Sequence, residues 1–178
     1  CVVDVPQPRL SWINEPKNER IRGERQTAYR IVVATSEERL WRGDYDLWDS
    51  GRVPSDPSTL VPSGGRKLTS GQDCYWRVQT WDAHGKRSKW SAVSHWTMGL
   101  LSPGDWHARW ITARQAKGAP MFRKAFSVSR KIAKAQAYVT AGGYFELYVN
   151  GHRVGDDYLV PNFTNYTTRQ GLDKGGIA

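Results

Sequence analysis

The chain has 178 residues, a formal net charge of +9 at pH 7 and 39% hydrophobic residues. These values are typical of a globular protein with one large or two small domains, and they argue against a disordered chain. The positive charge does not predict a nucleic-acid partner, because basic and acidic residues are interspersed and the one local cluster contains Arg123, Lys124, Arg130 and Lys131.

The two cysteines, Cys1 and Cys74, permit at most one disulfide, and their spacing is not typical of a metal site or a redox pair. The sequence has no run of 18 apolar residues and no signal-peptide pattern, so we expect no membrane span. Cys1 can be read as a lipoprotein anchor. The sequence that follows it has no polar tether, however, and we therefore expect the chain to begin at a cut end.

Aromatic residues separated by short turn-forming clusters predict an all-β sandwich in the first half of the chain. Strands are expected over residues 9–13, 26–35, 46–53 and 59–62, with Tyr29, Ile31 and Val33 on one face of the second strand. Ser36 precedes two glutamates, a pattern that predicts the N-cap of one short helical turn over residues 36–41.

The clearest strand of this half covers residues 73–82, DCYWRVQTWD, and a last strand is expected over 90–98. Fibronectin type III domains carry a leucine followed six residues later by a tyrosine that ties a corner. Here Leu68 is present and Cys74 occupies the tyrosine position, with Tyr75 as a substitute. This register predicts inward side chains at Cys74, Trp76, Val78 and Thr80, a buried free thiol at Cys74, and solvent-facing side chains at Arg77 and Gln79.

Turn formers over residues 99–105, GLLSPGD, predict a domain boundary, which gives domains over 1–99 and 105–178. Alternating patterns predict strands over 121–128 and 133–141. Phe145, Leu147 and Val149 alternate with polar neighbours, and Asn150-Gly151 then predicts a type I′ hairpin whose return strand begins at His152.

Seven sequence segments, in this order and spacing, carry a resemblance to a known family. They are PRLSW (8–12), QTAYRIVVA (26–34), LWDSGRV (47–53), YWRVQTWDAHGKRSKWS (75–91), MGLLSPGDWHARWI (98–111), FRKAF (122–126) and GGYFELYVNGHRVGDDYLVPNFTNYTTR (142–169). Together they resemble the N-terminal part of bacterial α-L-rhamnosidases of glycoside hydrolase family 78.

The resemblance implies a fibronectin type III-like, that is immunoglobulin-like, β-sandwich followed by a jelly-roll-like β-domain. In the family, an inverting pair of carboxylates lies in a helical (α/α)6 barrel further along the chain. We therefore expect no catalytic residue, no cofactor and no metal here, and a fragment that is inactive alone. The expected partners are the catalytic barrel and, as a further option, rhamnose-containing glycans.

The last residues, QGLDKGGIA, depart from the family pattern, which continues with further strands. We therefore expect a truncated second domain whose open strand edges favour a homo-oligomer. For the location, an extracytoplasmic compartment is favoured, either periplasmic or secreted, as for an enzyme that degrades polysaccharides.

Several residues are candidates for a binding site, although no substrate-binding residue is assigned. Asp156, Asp157 and Asn162 offer oxygens for Ca²⁺ or a sugar hydroxyl, but a calcium site needs six or more ligands and a polar loop is favoured. Five aromatic residues could form a stacking platform for sugar rings, but packing in the core or between domains is favoured for them. These residues are Trp106, Trp110, Tyr144, Phe163 and Tyr166.

The histidines and the glycosylation motifs carry weaker signals. The four histidines are too far apart in sequence to predict a metal site, namely His84, His95, His107 and His152. The sequons at Asn162 and Asn165 are interpreted as chance. A competing function is a stand-alone carbohydrate-binding or adhesion module, which an exposed aromatic row on the second domain would favour.

Overall fold

The computed structural model describes residues 2–16, 23–114 and 118–160. The chain divides into two compact units, Cys1–Ser102 and Pro103–Ala178. The elements in chain order are β1 (Val2–Val3), β2 (Arg9–Leu10), β3 (Gln26–Ala34), α1 (Glu37–Arg42), β4 (Trp48–Asp49), β5 (Val53–Pro54), β6 (Val61–Pro62), β7 (Asp73–Asp82), β8 (Ser94–Met98), a 3₁₀ turn (Pro103–Asp105), β9 (Tyr148–Val149) and β10 (His152–Arg153).

The main sheet of the first unit has the strand order β1-β8-β7-β3-β4, and β5 also pairs with β3. The long antiparallel pairing of β3 with β7 forms its centre and places Ile31 opposite Val78 and Val33 opposite Trp76. β1 runs parallel to β8, while the other pairs in this sheet are antiparallel. The predicted strands over 26–35 and 73–82 are therefore confirmed.

A second, two-stranded sheet formed by β2 and β6 contributes Leu10 and Val61 to the main core. The side chains of this core come from both sheets, which gives the first unit its immunoglobulin-like sandwich. The predicted shared face of β3 is confirmed, since Tyr29, Ile31 and Val33 all belong to this core. Its other buried members are Leu47, Leu68, Cys74, Val78, Trp96 and Met98.

The helical turn expected after β3 is confirmed as α1, which covers the outer face of the sheet. The Ser36 hydroxyl accepts a hydrogen bond from the Arg39 backbone N–H at 3.3 Å, and Gly43 ends the helix with φ of 78°. Leu40 is completely buried and forms a second cluster with Val32 and Ala34. Both faces of β3 are therefore buried.

The prediction that Arg77 and Gln79 face solvent was wrong. Their side chains are only 7% and 6% exposed. They lie on the outer face of β7, where alternation of polar and apolar residues predicts solvent, but α1 and the segment around Trp90 cover this face. Polar alternation therefore does not distinguish an exposed face from one covered by a later chain segment.

The inward register of Cys74 is confirmed, and its thiol is free and completely buried. Trp76 is half-buried against the main core, as the same register predicts. Tyr75 does not point to the corner beside Leu68. It belongs to the second cluster, and its ring lies 4.5 Å from that of His95.

Several predicted strands are shorter than expected or interrupted. Residues 9–13 form pairs only at Arg9–Leu10, and the segment 46–53 contributes Trp48–Asp49 and then Val53–Pro54. The segment 59–62 is reduced to Val61–Pro62, and the last strand is Ser94–Met98 because Trp90 packs on the outer face instead of continuing the ladder.

In the second unit, the hairpin is confirmed and the other expected strands are not. β9 and β10 pair antiparallel, and Asn150 and Gly151 have φ of 51° and 83°, as a type I′ turn requires. The strand predictions over 121–128 and 133–141 were wrong, because no ladder forms in either segment, both of which are described. The alternating pattern alone is insufficient, since a strand needs a hydrogen-bonded neighbour.

Candidate functional site

The segment 88–91 is fixed to the edge of β7 by two serines, and this arrangement shapes a surface cleft. The backbone N–H groups of Ser88 and Ser91 donate to the carbonyls of Thr80 and Val78, both at 2.8 Å. In return, the two serine hydroxyls accept from the Thr80 and Val78 N–H groups at 3.0 and 3.1 Å. Four bonds therefore hold this segment against β7 without a regular strand.

Five side chains on the outer face alternate cation and ring, and we call them the arginine–aromatic ladder: Trp41, Arg77, Trp90, Arg30 and Tyr45. The Arg77 guanidinium lies 4.9 Å from the Trp41 ring and 4.8 Å from the Trp90 ring. The Arg30 guanidinium lies 5.8 Å from the rings of both Trp90 and Tyr45. These distances fall in the range of cation–π attraction.

The charge of Arg30 is balanced by Asp49. Two hydrogen bonds join its Nε and Nη2 to the two carboxylate oxygens, at 2.9 and 2.6 Å. This bidentate contact raises the pKa of Arg30 and holds the pKa of the Asp49 carboxyl below its ordinary value, mainly through the hydrogen bond from Arg30. Arg30 is consequently a positioned side chain and contributes little free charge.

The cleft has a volume of about 490 Å³ and lies over the Arg30 end of the ladder. We call it the basic cleft; it is lined by Arg30, Tyr45, Gln79, Arg87, Ser88, Lys89 and Trp90. The Gln79 amide, on the floor of the cleft, donates to the Ser88 carbonyl, on its wall, at 2.8 Å. Three cations and no carboxylate line this space.

Arg87 and Lys89 supply the unbalanced charge of the basic cleft. Both are exposed, and within the described ranges neither forms an ion pair. Sequence reasoning missed this site because it recognised only the cluster of residues 123–131. A signal was present, since Lys86, Arg87 and Lys89 immediately precede Trp90.

Comparison with known proteins identifies the relationship. Residues 1–102 match the family described as Rha78A-like, N-terminal immunoglobulin domain, and residues 130–174 match the α-L-rhamnosidase N-terminal domain. The chain belongs to the family of Rha78A-like N-terminal immunoglobulin domains. Its two matches are both to N-terminal domains, which confirms the resemblance found in the sequence.

The similarity to whole rhamnosidases is extensive over this chain but covers little of theirs. An α-L-rhamnosidase of Alteromonas sp. (strain LOR) is 36% identical over 174 residues, which are 91% of this chain and 19% of the relative. One from Streptomyces avermitilis is 44% identical over 62% of this chain and 10% of its own length. The structure of α-L-rhamnosidase from Dictyoglumus thermophilum has a TM-score of 0.78 at 30% identity, over 93% of this chain and 20% of that one.

The residues that sequence analysis proposed for sugar or calcium binding in this rhamnosidase region lie in the second unit. Asp156 and Asp157 are exposed, and the Asp157 carbonyl accepts a hydrogen bond from Arg153. Asn162, with its sequon, and the sequon at Asn165 lie outside the described residues, as do Phe163 and Tyr166. Over residues 2–16, 23–114 and 118–160, no group of three or more His, Cys, Asp or Glu is placed to hold a metal ion.

The described aromatic candidates differ in exposure. Trp110 and Tyr144 are 71% and 55% exposed, whereas Trp106 is half-buried. On the hairpin, the Tyr148 hydroxyl donates to Glu146 at 2.8 Å, which raises the pKa of Tyr148. An aromatic platform in this unit stays a prediction.

The histidines occupy separate environments in the parts of the chain that the structure describes. In the first unit, His95 faces the Asp73 carboxylate at 3.3 Å, and His84 lies in the turn after β7, where its backbone N–H donates to Asp82. In the second unit, His107 is exposed and His152 begins β10. No helix in the described residues is long and apolar enough to cross a membrane.

Proposed function

We propose that this chain is a non-catalytic accessory region of an α-L-rhamnosidase, and that it supports a catalytic barrel in the same polypeptide. The observation that carries the proposal is that the chain matches two N-terminal domains, one after the other. The chain spans only about a tenth to a fifth of the length of the related α-L-rhamnosidases. The activity resides, on this proposal, in carboxylates of the barrel that act as general acid and general base.

Apolar side chains of the second unit support a contact with a larger partner. Met121 is 97% exposed and Phe126 is 79% exposed. Phe122, Val128 and Ile132 are also more than half exposed. A group of five exposed apolar side chains marks a surface that a partner covers. We propose the catalytic barrel as this partner. Two further partners are proposed for the same surface, namely a second copy of the chain and rhamnose-containing glycans, and both rank below the barrel.

The test of this function uses the whole polypeptide that contains the catalytic barrel. Met121→Asp and Phe126→Asp are expected to lower its Tm, because each places a carboxylate in the covered surface. The matched control is Thr112→Asp, at an exposed polar side chain of the same unit. Equal effects of all three substitutions would contradict a covered surface on the second unit.

A second measurement concerns activity. The 178-residue chain alone is expected to release no aglycone from an aryl α-L-rhamnoside, while the whole polypeptide does so. Turnover by the isolated chain that follows the protein through purification would contradict the accessory role.

We also propose an extracytoplasmic location, periplasmic or secreted, because polymeric glycans are met outside the cytoplasm. Fractionation of cells that express the whole polypeptide tests this location directly. Recovery in the cytoplasmic fraction alone would oppose it.

A further inference from the structure

The basic cleft of the first unit has the chemistry of a binding site for a charged ligand. Of its two unbalanced cations, Lys89 lies on the segment 88–91, which four hydrogen bonds fix to β7. Arg87 directly precedes this segment and forms an isolated antiparallel bridge with Trp81. The adjacent turn is also fixed, since the Asp82 carboxylate accepts the N–H groups of His84 and Lys86 at 2.9 and 2.8 Å. A backbone that is fixed in this way needs less ordering when a ligand arrives, which lowers the entropic cost of binding.

The remaining lining residues include aromatic surface suited to a sugar ring. The Gln79 amide and the Ser88 hydroxyl form the polar part of the cleft, where they are held by bonds to the Ser88 carbonyl, the Thr80 N–H group and the Lys89 carbonyl. Tyr45 and Trp90 provide half-buried aromatic surface, of the kind that packs against the C–H groups of a pyranose. The cleft is open to solvent, with a volume of about 490 Å³.

We propose that the basic cleft binds an acidic saccharide, that is, a sugar ring carrying a carboxylate or a sulfate ester. Arg87 and Lys89 contact the anionic group, and the aromatic lining, Tyr45 and Trp90, contacts the ring. A nucleic acid is the less suitable ligand, because single-strand binding uses an extended basic groove with successive stacking rings. Here one cleft holds two unbalanced cations, Arg87 and Lys89, and Arg30 is already balanced by Asp49.

The choice of a saccharide is consistent with the proposed accessory function, but the binding test does not depend on it. The site lies wholly within the first unit and needs no catalytic barrel. Failure of the barrel contact would therefore leave the result at the cleft unchanged, and failure of binding would leave the accessory role unchanged.

The experiment titrates the 178-residue chain with four probes and follows the Trp90 indole N–H signal by NMR. The probes are trigalacturonic acid, which carries carboxylates, a κ-carrageenan tetrasaccharide, which carries sulfate esters, neutral maltotriose, and a 12-nucleotide single-stranded DNA. At least one of the two acidic saccharides is expected to shift the Trp90 signal with saturation, and the affinity is expected to fall as salt is added. Which of the two binds identifies the anionic group.

Substitutions within the cleft are compared with an equal charge change elsewhere. Arg87→Gln and Lys89→Gln are each expected to weaken binding roughly fivefold to tenfold, as for the loss of one charge-assisted hydrogen bond. The control Lys67→Gln removes the same charge from an exposed position outside the cleft and is expected to change affinity less than about twofold.

Four results would overturn the proposal. They are the absence of binding by both acidic saccharides to the folded chain, equal binding of maltotriose, tighter binding of the DNA, and equal weakening by Lys67→Gln. The indole spectrum of each variant shows that it is folded, so a loss of binding is assigned to the cleft.

Discussion

The guanidinium carbon of Arg77 lies 4.8 Å from the centre of the Trp90 ring, on a face of β7 where the sequence pattern predicts solvent. The same group lies 4.9 Å from the Trp41 ring, and its Nη2 donates to the Leu40 carbonyl at 2.9 Å. A buried cation thus joins the end of α1 to the segment that carries the basic cleft. Substitution of Arg77 therefore tests whether α1 and the segment 88–91 pack on the outer face of β7.

Arg77→Ala is expected to lower the free energy of unfolding of the first unit by roughly 2–4 kcal/mol, because it removes a charged donor from a buried carbonyl and leaves a cavity. Arg77→Lys is expected to cost about 1–2 kcal/mol, since an ammonium group lacks the planar face that a guanidinium presents to aromatic rings. Urea unfolding followed by circular dichroism measures both values. Arg42, which forms an exposed pair with Glu38, is the control, and Arg42→Ala is expected to cost no more than about 0.5 kcal/mol.

Cys74 makes stability depend on alkaline pH. Burial raises the pKa of its thiol from 9.0 to about 12. Between these values the unfolded chain loses the thiol proton and the folded chain keeps it, so stability falls by about 1.4 kcal/mol per pH unit as pH rises above 9. Urea midpoints measured between pH 8 and 11 in a Cys1→Ser background test this slope.

The matched control is Cys74→Ala in the same background, which keeps every other titrating group. Its stability is expected to fall less steeply over the same pH range. A thiol reagent is also expected to label Cys74 slowly in the native state and quickly in urea. Identical slopes for the two proteins would contradict the burial of this thiol.

The Arg30–Asp49 pair makes a smaller contribution at acidic pH. Its hydrogen bonds lower the pKa of Asp49 from 3.8, so the stabilisation is complete above the unfolded value and is lost as pH falls through the lower folded value. Asp49→Asn is expected to cost about 0.5–1 kcal/mol at pH 7, the scale of a partly exposed bidentate pair. The difference between the two proteins should shrink as the pH is lowered from 5 to 2, which urea midpoints at each pH would show.

Gly151 tests the hairpin of the second unit. A Cβ at this position meets open space, so the only obstacle to alanine is the backbone φ of 83°. Gly151→Ala is therefore expected to weaken the pairing of β9 with β10 by about 1 kcal/mol. Gly142→Ala is the control, because Gly142 also has open space but no positive φ. Amide exchange at Val149 and His152 measures the change, and equal effects of the two substitutions would contradict the turn assignment.

Local sequence signals determined much of the first unit and the hairpin of the second unit, because the causes of these structures are local. The alternation of β3 and β7 places Ile31 and Val78 on one face through the two-residue period of a strand. Ser36 begins α1 because its hydroxyl accepts an N–H group three residues later. Asn150 and Gly151 turn the hairpin because both adopt positive φ. The ordered motifs also identified the family without any structure.

Only the tertiary structure decided which faces are covered and which strands find partners. Arg77 and Gln79 carry polar side chains that predict solvent, yet α1 and the segment 88–91 pack over them. The segments 121–128 and 133–141 alternate as strands do, but a strand exists only where another backbone supplies its hydrogen bonds. The basic cleft depends on the same principle, since Arg30, Tyr45 and Trp90 are far apart in sequence and meet only when β3, β7 and the segment 88–91 pack together.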